Sequence, residues 1–121
     1  PGATEKFVTV SPVRYMPSSP EIVDWRQRLE RLFPRDNLLS FNLFGVGGAQ
    51  VIFEALKRAG PDLTQEKFIA ALGAMKNFPV DVFPPDSVAC NSPTDHRCVR
   101  TVVWVRGKDG RTEIVGTTRV D

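Results

Sequence analysis

A chain of 121 residues with 41% hydrophobic and 25% charged residues suits one compact domain built on a single core. No run approaches the roughly 20 apolar residues that span a bilayer. Sixteen basic against 14 acidic residues leave a net charge of +2, too small to argue for a nucleic-acid partner.

The chain begins at Pro1 with no charged and then apolar leader, so an internal or processed segment is expected, with any secretion signal outside it. Residues 7–13 are rich in β-branched side chains and predict a short strand ending at Pro12. Pro17-Ser18-Ser19-Pro20 predicts a turn, with Ser19 as N-cap and Pro20 at the first helical position, where its missing N–H costs nothing. Ile22, Trp25, Leu29 and Leu32 then recur at helical spacing, and the helix closes at Pro34. A second helix is expected from Ser40, with Val46, Ala49, Ile52, Phe53, Leu56 and Ala59 as its stripe and Gly60-Pro61 as its stop. Gly45, Gly47 and Gly48 in its first turns weaken it, so close packing by a neighbouring element is expected there. Thr64 caps a third helix, with Leu63 and Phe68 as a hydrophobic staple and Ile69, Leu72 and Met75 on its buried side.

Residues 78–85 hold three prolines and predict an irregular crossover. Residues 99–105 predict a strand with Arg100, Val102 and Trp104 on one face and Val99, Thr101 and Val103 on the other. Gly107-Lys108-Asp109-Gly110 predicts a turn into a partner strand at 112–115, giving a hairpin. Arg100, Arg106, Lys108, Arg111 and Arg119 read as a solvated basic strand face, with a docking patch for an acidic partner as the alternative. Strand, three helices and hairpin make a mixed α/β chain, whose lone first strand hints that further strands belong elsewhere.

Little in the sequence carries reaction chemistry. His96 is the single histidine, which excludes a two-histidine metal site within one chain. Cys90, Asp95, His96 and Cys98 cluster, but the cysteine spacing matches none of the common short thiolate pairs. A Cys90–Cys98 disulfide, pointing to an oxidising compartment, is the plainer reading; two free thiols or a metal site, even a metal-dependent enzyme, are the alternatives. Gly45-Val46-Gly47-Gly48 has the wrong spacing and setting for a phosphate cradle. Glu21 and Asp24 fall on an exposed helix face, so no catalytic residue, metal or cofactor is assigned.

Taken in order, several segments resemble the last third of the type I periplasmic solute-binding proteins that serve branched-chain amino acid, amide and aromatic acid transporters. These are the strand and proline loop from Val8 to Tyr15, the helix after Pro20, and Gly48-Ala49-Gln50 through Glu54-Ala55-Leu56-Lys57-Arg58-Ala59-Gly60. Thr64 to Leu72 follows, then Asp95-His96 and a terminal hairpin with Trp104-Val105. The resemblance implies a partial Venus-flytrap fold of two α/β lobes. Residues 1–35 would belong to the second lobe. Residues 36–85 would pack on the first, with hinge crossings at each end. Residues 86–121 would carry the disulfide loop and a hairpin near the hinge and second lobe.

The same resemblance implies capture without chemistry by the extracytoplasmic receptor of an ABC transporter, in the periplasm. The expected partners are a small-molecule solute (an amino acid or an aromatic or small organic acid), a membrane permease, and the remainder of the binding protein or a second copy of this chain. Phe41, at the start of the second helix, matches an aromatic position facing the family's cleft. Asn42, Phe44 and Tyr15 are further ligand-binding candidates, and His96 is one for the cleft mouth. Phe41 and Phe44 as caps of the core, and Tyr15 as packing, are the competing readings. A free-standing interaction or sensor domain of the same ancestry is the alternative function.

Overall fold

The β-branched run Val8–Ser11 forms strand β1, and Pro12, which has no N–H to donate, ends it. The computed structural model describes residues 7–37, 40–90, 97–108 and 111–120. β1 pairs antiparallel with β2, Thr101–Lys108, so that Val10 faces Trp104, and β2 pairs antiparallel with β3, Arg111–Arg119. The sheet order is β1-β2-β3. Period-two alternation puts Val103, Val105 and Gly107 of β2 inside and Trp104, Arg106 and Lys108 outside. On the outer face the Trp104 indole N–H donates to Thr118 Oγ1 at 2.7 Å, and Arg106 pairs with Glu113 at 3.2 Å.

The hairpin outruns its sequence signal. Gly107 and Lys108 do not turn; they pair with Thr112 and Arg111, and the rest of the expected turn, Asp109-Gly110, lies outside the described residues. A glycine with no side chain to misplace does not interrupt a ladder that Arg106 has already extended. Arg100 is the second correction. It is buried rather than solvated, its Nε donating to the Ala89 carbonyl at 3.2 Å and its backbone N–H to the Ser87 carbonyl.

Pro20–Ile22 wind as a 3₁₀ turn that leads into helix α1, Val23–Leu32, and Phe33 ends the helix because the residue before a proline avoids the α region. Ser19 does not cap it with its side chain. The Ser19 hydroxyl instead accepts the Met16 N–H at 3.0 Å, so the loop before the helix takes the bond. Of the α1 stripe, Ile22 is buried and Trp25 and Leu29 pack partly against the core, while Leu32 is exposed.

Helix α2, Ser40–Ala59, ends as expected on Gly60, whose φ of +82° is a left-handed cap conformation. Its buried residues are Leu43, Val46, Gly47, Val51 and Ala55. The stripe expected from sequence is largely on the other side: Ala49, Ile52, Phe53 and Leu56 are exposed. The helix is apolar on two faces, and the described chain covers only one. The glycines divide in the same way. A Cβ on Gly47 would collide with the Phe83 ring, whereas one on Gly45 or Gly48 meets nothing nearby.

Thr64 caps helix α3, Gln65–Gly73, accepting the Lys67 N–H at 3.2 Å. The Thr64 side of the cap is as expected. Leu63 of the expected staple is half-exposed while Phe68 packs partly on the core. Ile69 is exposed, and Ala71 and Met75 are the buried members of this helix end, with Leu72 partly buried. The crossover 78–90 is irregular, as its prolines require, yet Val82, Phe83, Val88 and Cys90 are buried in it. With Val13, Ile22 and the inner faces of α2 and α3 they form one apolar cluster. A Cys90–Cys98 disulfide ties the crossover to the segment entering β2.

Candidate functional site

The site is built from the loop that follows β1. Ser11 Oγ accepts the Val13 N–H at 3.2 Å, bending the chain just after the strand. Val13 is fully buried, and the next N–H, of Arg14, donates to the Val82 carbonyl at 2.7 Å. Ser19 then closes the loop, its hydroxyl accepting the Met16 N–H and its own N–H reaching the Met16 carbonyl at 2.9 Å. Facing this loop is the first turn of α2, where Phe44 stacks at a tilt on Phe83 with ring centroids 5.5 Å apart. Phe83 is in turn seated on Gly47, which explains why that helix position has no side chain.

Between loop and helix lies an open groove of ≈ 270 Å³. Its walls are Val10, Pro12, Val13 and Met16 from the β1 side, Phe41 and Phe44 from α2, and Val105 from β2. Thr9, Ser11, Ser40 and Thr112 supply neutral hydroxyls, and no charged residue lines it among the described residues. Phe41 is 87% exposed at its rim, so it does not cap the core, whereas Phe44 spends one side of its ring on Phe83.

A second groove, of ≈ 350 Å³, continues along the inner face of the sheet. Its lining is mixed: Arg14, Tyr15, Ser19 and Glu21 contribute polar groups, and Pro84, Pro85, Val103 and Ile114 contribute apolar ones. The Arg14 guanidinium lies 5.0 Å from the centre of the Tyr15 ring. Around the corner Tyr15 also borders an acidic hollow formed with Glu21, Asp24, Trp25, Arg28 and Asp81. There Asp81 accepts from the Trp25 indole at 3.0 Å and the Gln50 amide at 2.7 Å, while its own N–H donates to Gln50 Oε1. That clamp ties α1 and α2 to the crossover.

Of the four residues expected to meet a ligand, Phe41 and Phe44 share the apolar groove, Tyr15 lines the neighbouring one, and Asn42 lies apart. Asn42 lines a small cavity of ≈ 20 Å³ with Leu29, Phe33 and Asn37. His96 falls outside the described residues. Sequence reasoning missed Val10, Val13 and Met16 as wall residues, and it missed Arg14 and Glu21 as charged groups beside an apolar groove. The available signal was position: all five flank the Pro12 loop, which turns the chain from strand toward helix. Both cysteines are joined to each other, so neither thiol is left to ligate metal.

A family model described as periplasmic binding protein matches residues 1–112. The chain belongs to the periplasmic binding protein family. No curated protein and no solved structure among those compared matches it. The family is one of solute-binding, non-enzymatic proteins, and membership supports a substrate-binding role with a small molecule as ligand and a periplasmic location. Three helices and a three-stranded antiparallel sheet are consistent with part of such a binding protein's fold. No helix of the described residues is long and apolar enough to cross a membrane.

Proposed function

We propose that this chain is the C-terminal portion of an extracytoplasmic receptor that hands an amino acid, or an aromatic or small organic acid, to an ABC transporter. The observation that carries the reading is the junction of two unlike grooves. An apolar one walled by Phe41 and Phe44, with no charged residue among its described lining, abuts one of mixed lining that includes Arg14 and Glu21. A solute with an apolar side group and a charged end needs such a pair, since apolar area gains by burial while a carboxylate or ammonium needs a partner.

The outward apolar face of α2 supports the lobe arrangement. Phe41, Ile52, Phe53 and Leu56 are exposed together in this chain, and an apolar helix face of that extent belongs against another layer. In this reading residues 36–85 lie on the first lobe and the sheet and α1 on the second. Solute bound between them favours the closed form, which the permease then recognises.

The test is calorimetric titration of the full-length protein with leucine, phenylalanine and benzoate, repeated with Phe41→Ala. Loss of the aromatic wall is expected to weaken binding by more than about 1 kcal/mol. Unchanged affinity would remove Phe41 from the site. A free-standing interaction module is the second reading, favoured by the sheet, in which β1 and β3 each pair on one side only among the described residues. Native mass spectrometry separates the two, because that reading predicts a monomer or a homodimer of this chain alone.

A further inference from the structure

The two grooves are walled off from each other by very little. Met16 lines both, and so does Thr112 on the opposite wall, at the start of β3. The Met16 backbone is held on both sides by Ser19, through its hydroxyl at 3.0 Å and its N–H at 2.9 Å. The side chain that projects from this fixed point is unbranched and polarisable, the type best able to adjust to what lies beside it. The other residue common to both grooves, Thr112, carries a short hydroxyl rather than a bulky side chain, and Met16 is only partly buried.

We infer that Met16 is the specificity-determining partition of the site, setting how long an apolar group the Phe41–Phe44 groove accepts. The inference rests on the solute-binding reading above. A branched or single-ring side group ends at the thioether; a longer one must displace it into the second groove. Removing the side chain beyond Cβ joins the grooves of ≈ 270 and ≈ 350 Å³ into one channel along the inner face of the sheet. Leucine at the same place keeps nearly the same bulk and the partition with it.

The experiment titrates the full-length protein and its variants with 2-aminoalkanoates and phenylalkanoates of increasing chain length. Met16→Ala is expected to move the preferred length upward, with the long-to-short affinity ratio rising about tenfold, while Met16→Leu keeps the wild-type ratio. Thr112→Leu, which thickens the opposite wall, is expected to move the preference toward shorter members and decides the matter should Met16→Ala melt early. Identical preference in the wild type and all folded variants overturns the partition and leaves the solute reading standing. A wild type that binds no member of either series overturns both.

Discussion

The two halves of the molecule are held together differently. Around the crossover, Phe83, Val82, Val88, Met75 and the inner faces of α2 and α3 make one continuous apolar cluster, and a glycine in α2 is given over to accommodating an aromatic ring. The sheet has no such backing. Val103 and Val105 are buried on its inner face but lie outside that cluster, Ile114 is exposed, and open grooves run beneath it. A core with contacts on every side makes a rigid platform, whereas a sheet covered in part leaves room for a ligand. In the proposed reading the chain therefore separates stability from binding, placing one under the helices and the other beside the strands.

Substitutions on the two sides sharpen that contrast. Phe83→Ala is expected to cost about 3–5 kcal/mol, because it removes a ring packed against Gly47 and Phe44 and leaves a cavity. Val105→Ala, from the sheet, is expected to cost about 1–2 kcal/mol, near the transfer value of the groups removed. Urea unfolding of both variants measures the difference; equal losses would mean the sheet shares the main core after all. Next in size is the Cys90–Cys98 disulfide, which closes a loop of sequence separation 8. Reduction is expected to lower stability by about 2–3 kcal/mol, and thermal melts with and without reductant read it directly.

The glycines of α2 provide a test within one helix. Gly47→Ala, which drives a methyl into the Phe83 ring, is expected to destabilise by about 1–3 kcal/mol. Gly48→Ala meets open space and is expected to stabilise this chain by about 0.5–1 kcal/mol through helix propensity. Reversal of the two signs in denaturant melts would show that the packing of this helix has been misassigned.

The smallest effect is electrostatic. A hydrogen bond from Arg58 at 2.7 Å, aided by its charge and that of Lys57, holds the Glu54 carboxyl below the usual carboxylate range. A carboxyl depressed on folding adds stability above its unfolded pKa and loses it as pH falls through the depressed value. Glu54→Gln is therefore expected to narrow, slightly, the loss of stability on acidification, as read from urea midpoints at neutral and acid pH. Arg58 is exposed and Glu54 only partly buried, so solvent screens the pair and the change stays near the limit of detection.

Local chemistry was legible in the sequence. The proline that ends β1, the Thr64 cap, the left-handed Gly60 and the paired cysteines each act over a few residues, and each stands where the residues demanded. Ser19 shows the limit of that logic. Its hydroxyl could serve the helix start or the loop, and the loop obtained it. Of the candidate site, Phe41 and Phe44 were found by position and share one groove, but Asn42, their close neighbour in sequence, lines a different cavity because a helix sends successive residues to different sides.

The sequence by itself determined that α2 would be a helix, that it would be apolar, and where it would stop. It did not determine which face would be buried, because helical spacing is satisfied by Leu43, Gly47, Val51 and Ala55 as well as by Ala49, Ile52 and Leu56. Phe83 decided that, by seating its ring on Gly47 from an irregular segment more than thirty residues away. Arg100 is the same lesson in a polar residue: charge predicts exposure, yet its Nε donates to the Ala89 carbonyl, which the disulfide-linked crossover brings near. Such contacts join distant parts of the chain, so the grooves they leave, and the place of Met16 between them, belong to the tertiary structure alone.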